Sequence, residues 1–190
     1  MENNLITAGV DEVGRGCLAG PVVSAAVILN NKIDLNLIDD SKKINFQNRL
    51  KIAEIIKQNS YYAIGIASVE EIFKINILQA ALLSMKRAID KLEKKPSQIL
   101  IDGPFAPKGL KNYKTITKGD EKIKCIGAAS IIAKTYRDLI MIKLSEKFTH
   151  YSWERNFGYG TKAHMEGLKR FGITSHHRQG FKPIHKMLFR

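Results

Sequence analysis

Residues 9–29 read GVDEVGRGCLAGPVVSAAVIL, and this stretch decides the fold class. The chain over residues 5–10 is short and apolar and enters a glycine-rich turn, which predicts a strand. Residues 21–29 are nearly continuously apolar and rich in β-branched side chains, which predicts a second, buried strand. The turn between them predicts that the two strands form a hairpin.

The rest of the chain alternates helical and strand patterns. Ser68 and Glu71 have the spacing of a capping box, and Asn76 is expected to cap a longer helix that ends before Pro96. The same reasoning predicts helices over residues 45–57 and 126–148 and strands over residues 61–67, 98–102 and 113–117. This order predicts an α/β sheet covered by helices.

The chain has 190 residues, which fits one domain spanning residues 1–190. Residues 151–190 are rich in glycine, histidine and arginine and show helical periodicity only over residues 161–171. We expect this segment to be a small C-terminal appendage of helix and loop that binds substrate phosphates. All five histidines lie in or next to it, but their spacing does not indicate a metal site.

The net charge is the first indication of a partner. Lys and Arg number 31 against 18 Asp and Glu, which gives a formal net charge of +13. Such a charge favours nucleic acid, because each neutralised phosphate releases counterions. A solvated basic surface, or contact with an anionic membrane, is the alternative.

The cysteines and the apolar runs bear on the compartment. Cys17 and Cys125 are isolated from each other, which argues against a zinc site or a disulfide framework and makes a reducing cytoplasm the default. We expect no secretory signal and no membrane span, since no apolar run approaches about 18 residues.

Acidic residues follow three of the predicted strands, as Asp11 and Glu12, Asp102, and Asp120. Taken singly, Asp102 and Asp120 are better explained as turn residues. Taken together, carboxylates at one end of adjacent strands converge, and such oxygen ligands suit Mg²⁺ or Mn²⁺. Since adjacent residues of a strand point to opposite faces, we expect a break in the first strand that lets Asp11 and Glu12 face the same ions.

Two glycine-containing motifs are candidates for ligand contact. The turn with Gly14, Arg15 and Gly16 lets a backbone approach a ligand closely, but a strand follows it where a dinucleotide site needs a helix. Tyr159, between two glycines, could stack on a sugar or base, or could be a packed ring in a turn. The polar loop over residues 40–43 is interpreted either as solvated or as a phosphate contact.

Six segments in this order resemble type 2 ribonucleases H, the ribonuclease HII family. They are residues 9–29 quoted above, DDSKK at 39–43, ILIDG at 99–103, KGD at 118–120, IGAASIIAKTYRD at 126–138 and GYGTKAH at 158–164. The resemblance implies a ribonuclease H-like mixed β-sheet flanked by helices. It also implies a metal-dependent endoribonuclease that uses Mn²⁺ or Mg²⁺, hydrolyses the RNA strand of RNA–DNA hybrids and cleaves 5′ to ribonucleotides embedded in DNA.

The resemblance also implies roles for individual residues. Asp11, Glu12 and Asp102 would hold the metal, and Asp120 would complete the catalytic set or position the attacking water. The substrate-binding residues would be Gly14, Arg15 and Gly16, which contact the 2′-hydroxyl, together with Ser41, Lys42 and Tyr159. We expect a monomer.

The chain departs from the family pattern at two positions, where Pro104 follows the Asp-Gly pair and Gly180 stands in place of a serine. A non-catalytic module that binds RNA–DNA hybrids needs the basic surface but not the carboxylates, and is the alternative function. A nuclease for DNA junctions, with the same metal chemistry, is a third.

Overall fold

The computed structural model describes residues 5–30, 33–38 and 45–189. Its sheet contains five strands, β1 (Thr7–Val13), β2 (Val22–Leu29), β3 (Ser60–Ala67), β4 (Gln98–Asp102) and β5 (Tyr113–Ile116). Its α-helices are α1 (Phe46–Gln58), α2 (Val69–Asp90), α3 (Gly119–Lys122), α4 (Lys124–Ser145), α5 (Trp153–Asn156), α6 (Lys162–Phe171) and α7 (Lys182–Leu188).

The sheet is mixed, with strand order β3-β2-β1-β4-β5. β1 and β2 form the predicted antiparallel hairpin, and β3 adds to it antiparallel. β1 runs parallel to β4, and β4 runs parallel to β5. The carboxyl ends of these three parallel strands therefore lie at one edge of the sheet, where the predicted acidic residues follow them.

Helices cover both faces of the sheet. On one face, Ala8 and Val10 of β1 pack with Met85 and Ala88 of α2. On the other face, β2 packs with α1 and α4 through a second apolar cluster. Gly9 explains how closely α4 approaches β1, because a Cβ atom built on Gly9 would lie 2.1 Å from the carbonyl carbon of Cys125.

The C-terminal segment is folded and packs on the rest of the molecule. Its cluster joins Trp153, Leu168 and Ile184 to Met141 of α4 and to Leu18 of the loop before β2. These contacts come from α5, α6 and α7, of which the sequence predicted only the helix over residues 161–171. Among the residues described, none of the helices has the length and apolar character that crossing a bilayer requires.

The predicted strands and longer helices are confirmed with small shifts at their ends. Ser68 and Glu71 form the expected capping box. Asn76 has φ 65° and ψ 167°, and its Oδ1 accepts hydrogen bonds from the backbone N–H groups of Leu78 and Gln79. It therefore caps a new helical segment inside α2, as predicted.

Candidate active site

Asp11 and Asp102 are brought together by the parallel pairing of β1 and β4. The two strands pair as far as Val10 with Ile101, so the next position places Asp11 beside Asp102. Asp102 Oδ1 accepts a hydrogen bond of 2.6 Å from the backbone N–H of Gly119. This bond fastens the start of α3 to the end of β4 and brings Asp120 to the same edge of the sheet.

Asp120 lies in α3, not in a turn as the sequence taken at this residue alone indicated. The residue is the second of this four-residue helix and is buried. Helices of this length carry no apolar period, so the sequence pattern could not show it. All four predicted carboxylates line one cavity of about 250 Å³.

The expected break in β1 is not present. Antiparallel pairing with β2 continues without interruption through Asp11, Glu12 and Val13, so the two acids point to opposite faces of the sheet. Both nevertheless reach the cavity, because β4 ends beside Asp11 and leaves open the space next to the last two residues of β1. The carboxylates of Asp11 and Glu12 thus lie on opposite faces at the end of the sheet, and both reach the cavity without a bulge in β1.

The two faces give the two acids different surroundings. Asp11 lies on the α4 side, where the hydroxyl of Ser130 hydrogen-bonds its carboxylate. Glu12 lies on the α2 side, where it also lines a small cavity with Leu82 and Met85. Its Oε1 accepts a hydrogen bond of 3.2 Å from Arg15 Nη1.

The electrostatics of the carboxylates favour a bound cation. Burial raises the pKa of Asp11 well above its usual value, and the charges of Glu12 and Asp102 raise it further. Burial also raises the pKa of Glu12, although Arg15 partly opposes this effect. Ionised carboxylates that repel one another in a partly desolvated site are stabilised when a divalent cation neutralises them.

The donor chemistry fits Mg²⁺ or Mn²⁺, since every candidate ligand is a carboxylate oxygen. Within residues 5–30, 33–38 and 45–189, however, no three acidic, histidine or cysteine side chains form a group that could hold an ion. Glu12 is paired with the half-exposed Arg15, and Asp102 is bonded to Gly119. Arg15 is half-exposed and can turn to solvent, so this ion pair does not prevent Glu12 from binding a cation.

The loop after β1 lies at the same cavity, and its two predicted glycines differ. Gly14 has φ +94°, and a Cβ atom there would lie 2.2 Å from Arg137 Nε. A Cβ atom on Gly16 would meet only Cε1 of Tyr159, at 3.9 Å. The fold therefore requires a glycine at 14, whereas the absence of a side chain at 16 leaves open space beside the cavity.

Tyr159 lines the same cavity as the acids and is 40% exposed. Ser41 and Lys42 lie outside the described residues, so their predicted role is not addressed by the structure. Ser130 and Lys134 line the cavity from α4 and were not among the predicted site residues. The sequence feature that could have identified them is a pair of polar residues one helical turn apart in an otherwise small and apolar run.

The fold and the cavity define a nuclease of the ribonuclease H type, with carboxylates at the end of a mixed sheet and a glycine-rich loop beside them. The sequence model described as Ribonuclease HII matches residues 8–190. The chain belongs to the ribonuclease HII family, whose members are metal-dependent endoribonucleases. The predicted family, fold class and enzyme class are confirmed.

Relatives and solved structures support this assignment. The chain is 57% identical over 185 residues to a ribonuclease HII of Pelagibacter ubique (strain HTCC1062), covering 96% of this chain and 99% of the relative. The crystal structure of ribonuclease H2 from Pyrococcus horikoshii OT3 matches with a TM-score of 0.79 at 25% identity, covering 95% of this chain and 96% of that one. Bst-RNase HIII in complex with Mn²⁺ matches with a TM-score of 0.70 at 20% identity, covering 97% of this chain and 70% of that one, and shows a shared fold.

Proposed function

We propose that this chain hydrolyses the phosphodiester bond on the 5′ side of a ribonucleotide, both in the RNA strand of RNA–DNA hybrids and in duplex DNA. The observation that carries the proposal is the shared cavity, because the carboxylates, the loop with Gly14, Arg15 and Gly16, and the ring of Tyr159 all line it. One cavity thus combines a site for phosphodiester chemistry with two features suited to contact a sugar.

Asp11, Glu12 and Asp102 are the proposed metal ligands. A divalent ion bound there would lower the pKa of an attacking water and neutralise charge that develops on the phosphate. Asp120, which is buried in α3 and lines the cavity, accepts a proton from that water or completes the ligand set. Mn²⁺ and Mg²⁺ both suit these oxygen donors, and the solved RNase HIII complex with Mn²⁺ supports the first.

Recognition of the ribonucleotide is assigned to the loop after β1 and to Tyr159. Only the 2′-hydroxyl distinguishes RNA from DNA at one position, so the contact must be close and polar. Backbone groups around Arg15 and the open side of Gly16 permit this approach. The exposed ring of Tyr159 is placed to pack on a neighbouring sugar, and Ser41 and Lys42 are proposed phosphate contacts.

We further propose that the protein acts as a monomer in the cytoplasm, with residues 151–190 as a substrate-binding appendage of a single domain. Both cysteines are free and buried, as is usual for thiols in a reducing compartment. The net charge of +13 supports binding of a nucleic-acid duplex.

The test uses duplex DNA with one embedded ribonucleotide, incubated with Mn²⁺ or Mg²⁺. We expect one cut on the 5′ side of the ribonucleotide, leaving 3′-hydroxyl and 5′-phosphate ends. Asp102→Asn should lower the rate by more than about 100-fold, because losing a metal ligand costs more than losing one of its outer partners. Asp90→Asn, on the exposed surface of α2, is the matched control and should retain the rate.

Several outcomes would overturn the proposal. No cleavage with either metal, combined with hybrid binding that strengthens when the carboxylates are neutralised, would support the non-catalytic module. Cleavage of an all-DNA duplex or junction at a similar rate would support the DNA nuclease. Undiminished cleavage by Asp102→Asn would place the chemistry elsewhere.

A further inference from the structure

The tail segment around His177 and Arg178 is paired directly with the loop that follows β1. Ala19 and His177 form an isolated antiparallel bridge. The backbone N–H of Arg178 donates to the carbonyl of Leu18 at 2.8 Å, and the N–H of Gly20 donates to the carbonyl of His176 at 2.9 Å. His177 and Arg178 are both almost fully buried. Their side chains extend from this pairing towards the two proposed substrate contacts, Tyr159 and the loop that contains Arg15.

Arg178 holds the loop through its guanidinium group. Nη1 donates to the carbonyl of Arg15 at 3.0 Å, Nε to that of Gly20 at 2.9 Å and Nη2 to that of Pro21 at 3.1 Å. The group is 1% exposed, and burial together with the nearby charge of Arg137 lowers its pKa to about 10. Burying a charge costs free energy. Because the buried guanidinium group of Arg178 donates to three carbonyls of one loop, its role is to hold that loop in a fixed conformation.

His177 reaches Tyr159 through His164, and the hydrogen-bond partners assign the tautomer of both rings. His164 Nδ1 lies 2.9 Å from the carbonyl of Tyr159, which can only accept, so Nδ1 carries a proton. His164 Nε2 therefore accepts from Trp153 Nε1 at 3.1 Å and from His177 Nε2 at 3.0 Å.

The chain of bonds ends at Thr174. Its backbone N–H lies 3.0 Å from His177 Nδ1, which must be the acceptor, so His177 carries its proton on Nε2. Both rings are thus neutral, and each nitrogen has one role. The result is a continuous path of hydrogen bonds from Thr174, through His177 and His164, to the backbone of Tyr159.

We infer that His177 and Arg178 are positioning residues for ribonucleotide recognition, which together fix the distance between Tyr159 and the loop that contains Arg15. The inference rests on the proposed function, which assigns substrate contact to these two features. Neither side chain touches substrate itself, since both are buried beneath the features that they support.

The experiment measures KM and kcat for the single-ribonucleotide duplex, together with the melting temperature. His177→Phe keeps an aromatic ring but removes both nitrogens, so His164, which still contacts the Tyr159 carbonyl, loses its link to Thr174. We expect KM to rise about 10-fold, with a smaller change in kcat, because the chemistry is intact while the sugar contact is displaced. His177→Gln retains an N–H donor that can reach His164, and should restore part of the loss.

Tyr151→Phe is the matched structural control. The Tyr151 hydroxyl donates to the carbonyl of Gly172 at 3.0 Å, so this variant also removes one hydrogen bond from the tail, but one that leads to neither substrate feature. Its KM should stay within about twofold of the wild type. A rise in KM equal to that of His177→Phe would show general loosening of the tail and overturn the inference.

A double-mutant cycle with Tyr159→Ala tests whether His177 affects KM through the tyrosine ring. If His177 acts through the tyrosine ring, His177→Phe should change KM little once the ring is gone. If KM rises by the same factor with and without Tyr159→Ala, the positioning role is wrong while the proposed function stands. If Tyr159→Ala alone leaves KM unchanged in an enzyme that cleaves normally, the proposed role of Tyr159 fails, and the inference for His177 fails with it.

Arg178→Lys is tested in the same way against Gly16→Ala. Lysine keeps the charge but cannot donate to three carbonyls in the fixed geometry of a guanidinium group. We expect KM to rise in Arg178→Lys, and to rise less when Gly16→Ala has already obstructed the loop. Full additivity of the two effects would overturn the role of Arg178.

Discussion

Gly14 and Gly16 show how two identical residues, two positions apart, are required for different reasons. At Gly14 the backbone has φ +94°, and a side chain would collide with the guanidinium group of Arg137. That guanidinium donates to the carbonyls of Ala19, Pro21 and Phe157, so it cannot move without breaking these hydrogen bonds. Gly16 has no such neighbour, and its bare backbone is available to a ligand.

Alanine at each position should therefore have a different effect. Gly16→Ala should leave the free energy of unfolding within about 0.5 kcal/mol of the wild type, while raising KM for the single-ribonucleotide duplex. Gly14→Ala, the matched comparison, should lose about 1–3 kcal/mol of stability, because a side chain is strained at its φ value and meets Arg137. Denaturant unfolding and steady-state kinetics on the two variants check this, and equal losses of stability would contradict it.

The carboxylates show what can be predicted at the scale of the residue. Parallel pairing of the predicted strands was enough to bring Asp11 and Asp102 together, because the ends of neighbouring parallel strands share an edge. The position of Glu12 was not predictable in this way. It depends on how far β1 extends beyond β4, and a register is set by long-range pairing that one sequence does not display.

At the scale of the element, α4 is the helix that links the core to the site. Its Ser130 and Lys134 line the cavity, and its Asp138, fully buried, accepts from Lys134 Nζ at 2.7 Å. Asp138 also accepts from Arg49 Nη2 of α1 at 2.7 Å. One carboxylate therefore fixes α1 against α4 and holds Lys134 beside the cavity.

Asp138→Asn should destabilise the protein by about 3 kcal/mol or more, because it removes the buried negative charge that Arg49 and Lys134 both contact. Asp90→Asn, which removes a surface ion pair with Lys86 on α2, should cost less than about 1 kcal/mol. Thermal and denaturant unfolding measure the difference. Similar costs for the two variants would mean that the buried cluster does not bind α1 to α4.

Element length explains which helices the sequence could predict. The 22-residue helices α2 and α4 contain several turns of apolar periodicity and were predicted nearly to their ends. α3 and α5 have four residues each, and α7 has seven, so none shows a usable period. Their positions are fixed by tertiary contacts, such as the bond from Gly119 to Asp102.

At the scale of the whole molecule, the tail and the loop after β1 share one apolar cluster. Leu18 and Ala19 of the loop pack with Trp153 and Leu168 of the tail. Because the same cluster includes Met141 of α4, loosening the tail would also expose the end of the central helix. The C-terminal segment is therefore expected to unfold together with the sheet.

The only tryptophan of the chain makes this expectation testable, since Trp153 belongs to the tail and lies in the shared cluster, so that its fluorescence reports on the packing of the tail against the loop and α4. Its fluorescence and the far-ultraviolet circular dichroism of the whole chain should give the same denaturant midpoint, as expected for two-state unfolding. A fluorescence transition at a clearly lower denaturant concentration would show that residues 151–190 unfold as a separate unit.

Acid should weaken the same region through its buried histidines. Burial and the neighbouring His164 lower the pKa of His177 from 6.5 to about 4, and burial lowers the pKa of His164 as well. Between about pH 6.5 and about pH 4, the side chain of His177 binds a proton in the unfolded chain but stays neutral in the folded protein. The free energy of unfolding therefore decreases as pH falls through this range. The difference corresponds to up to about 3 kcal/mol from His177.

The comparison of the wild type with His177→Phe isolates this contribution. Asp11 and Glu12 act in the opposite direction, because their raised pKa values make the folded state take up protons more readily. Both proteins share these acids, so their effect cancels in the difference between the two stability curves. That difference should narrow as pH falls from about 6.5 to about 4, since only the wild type loses stability through His177. Parallel curves across this window would mean that His177 titrates normally in the folded state, and that the neutral path from Thr174 to Tyr159 is not maintained.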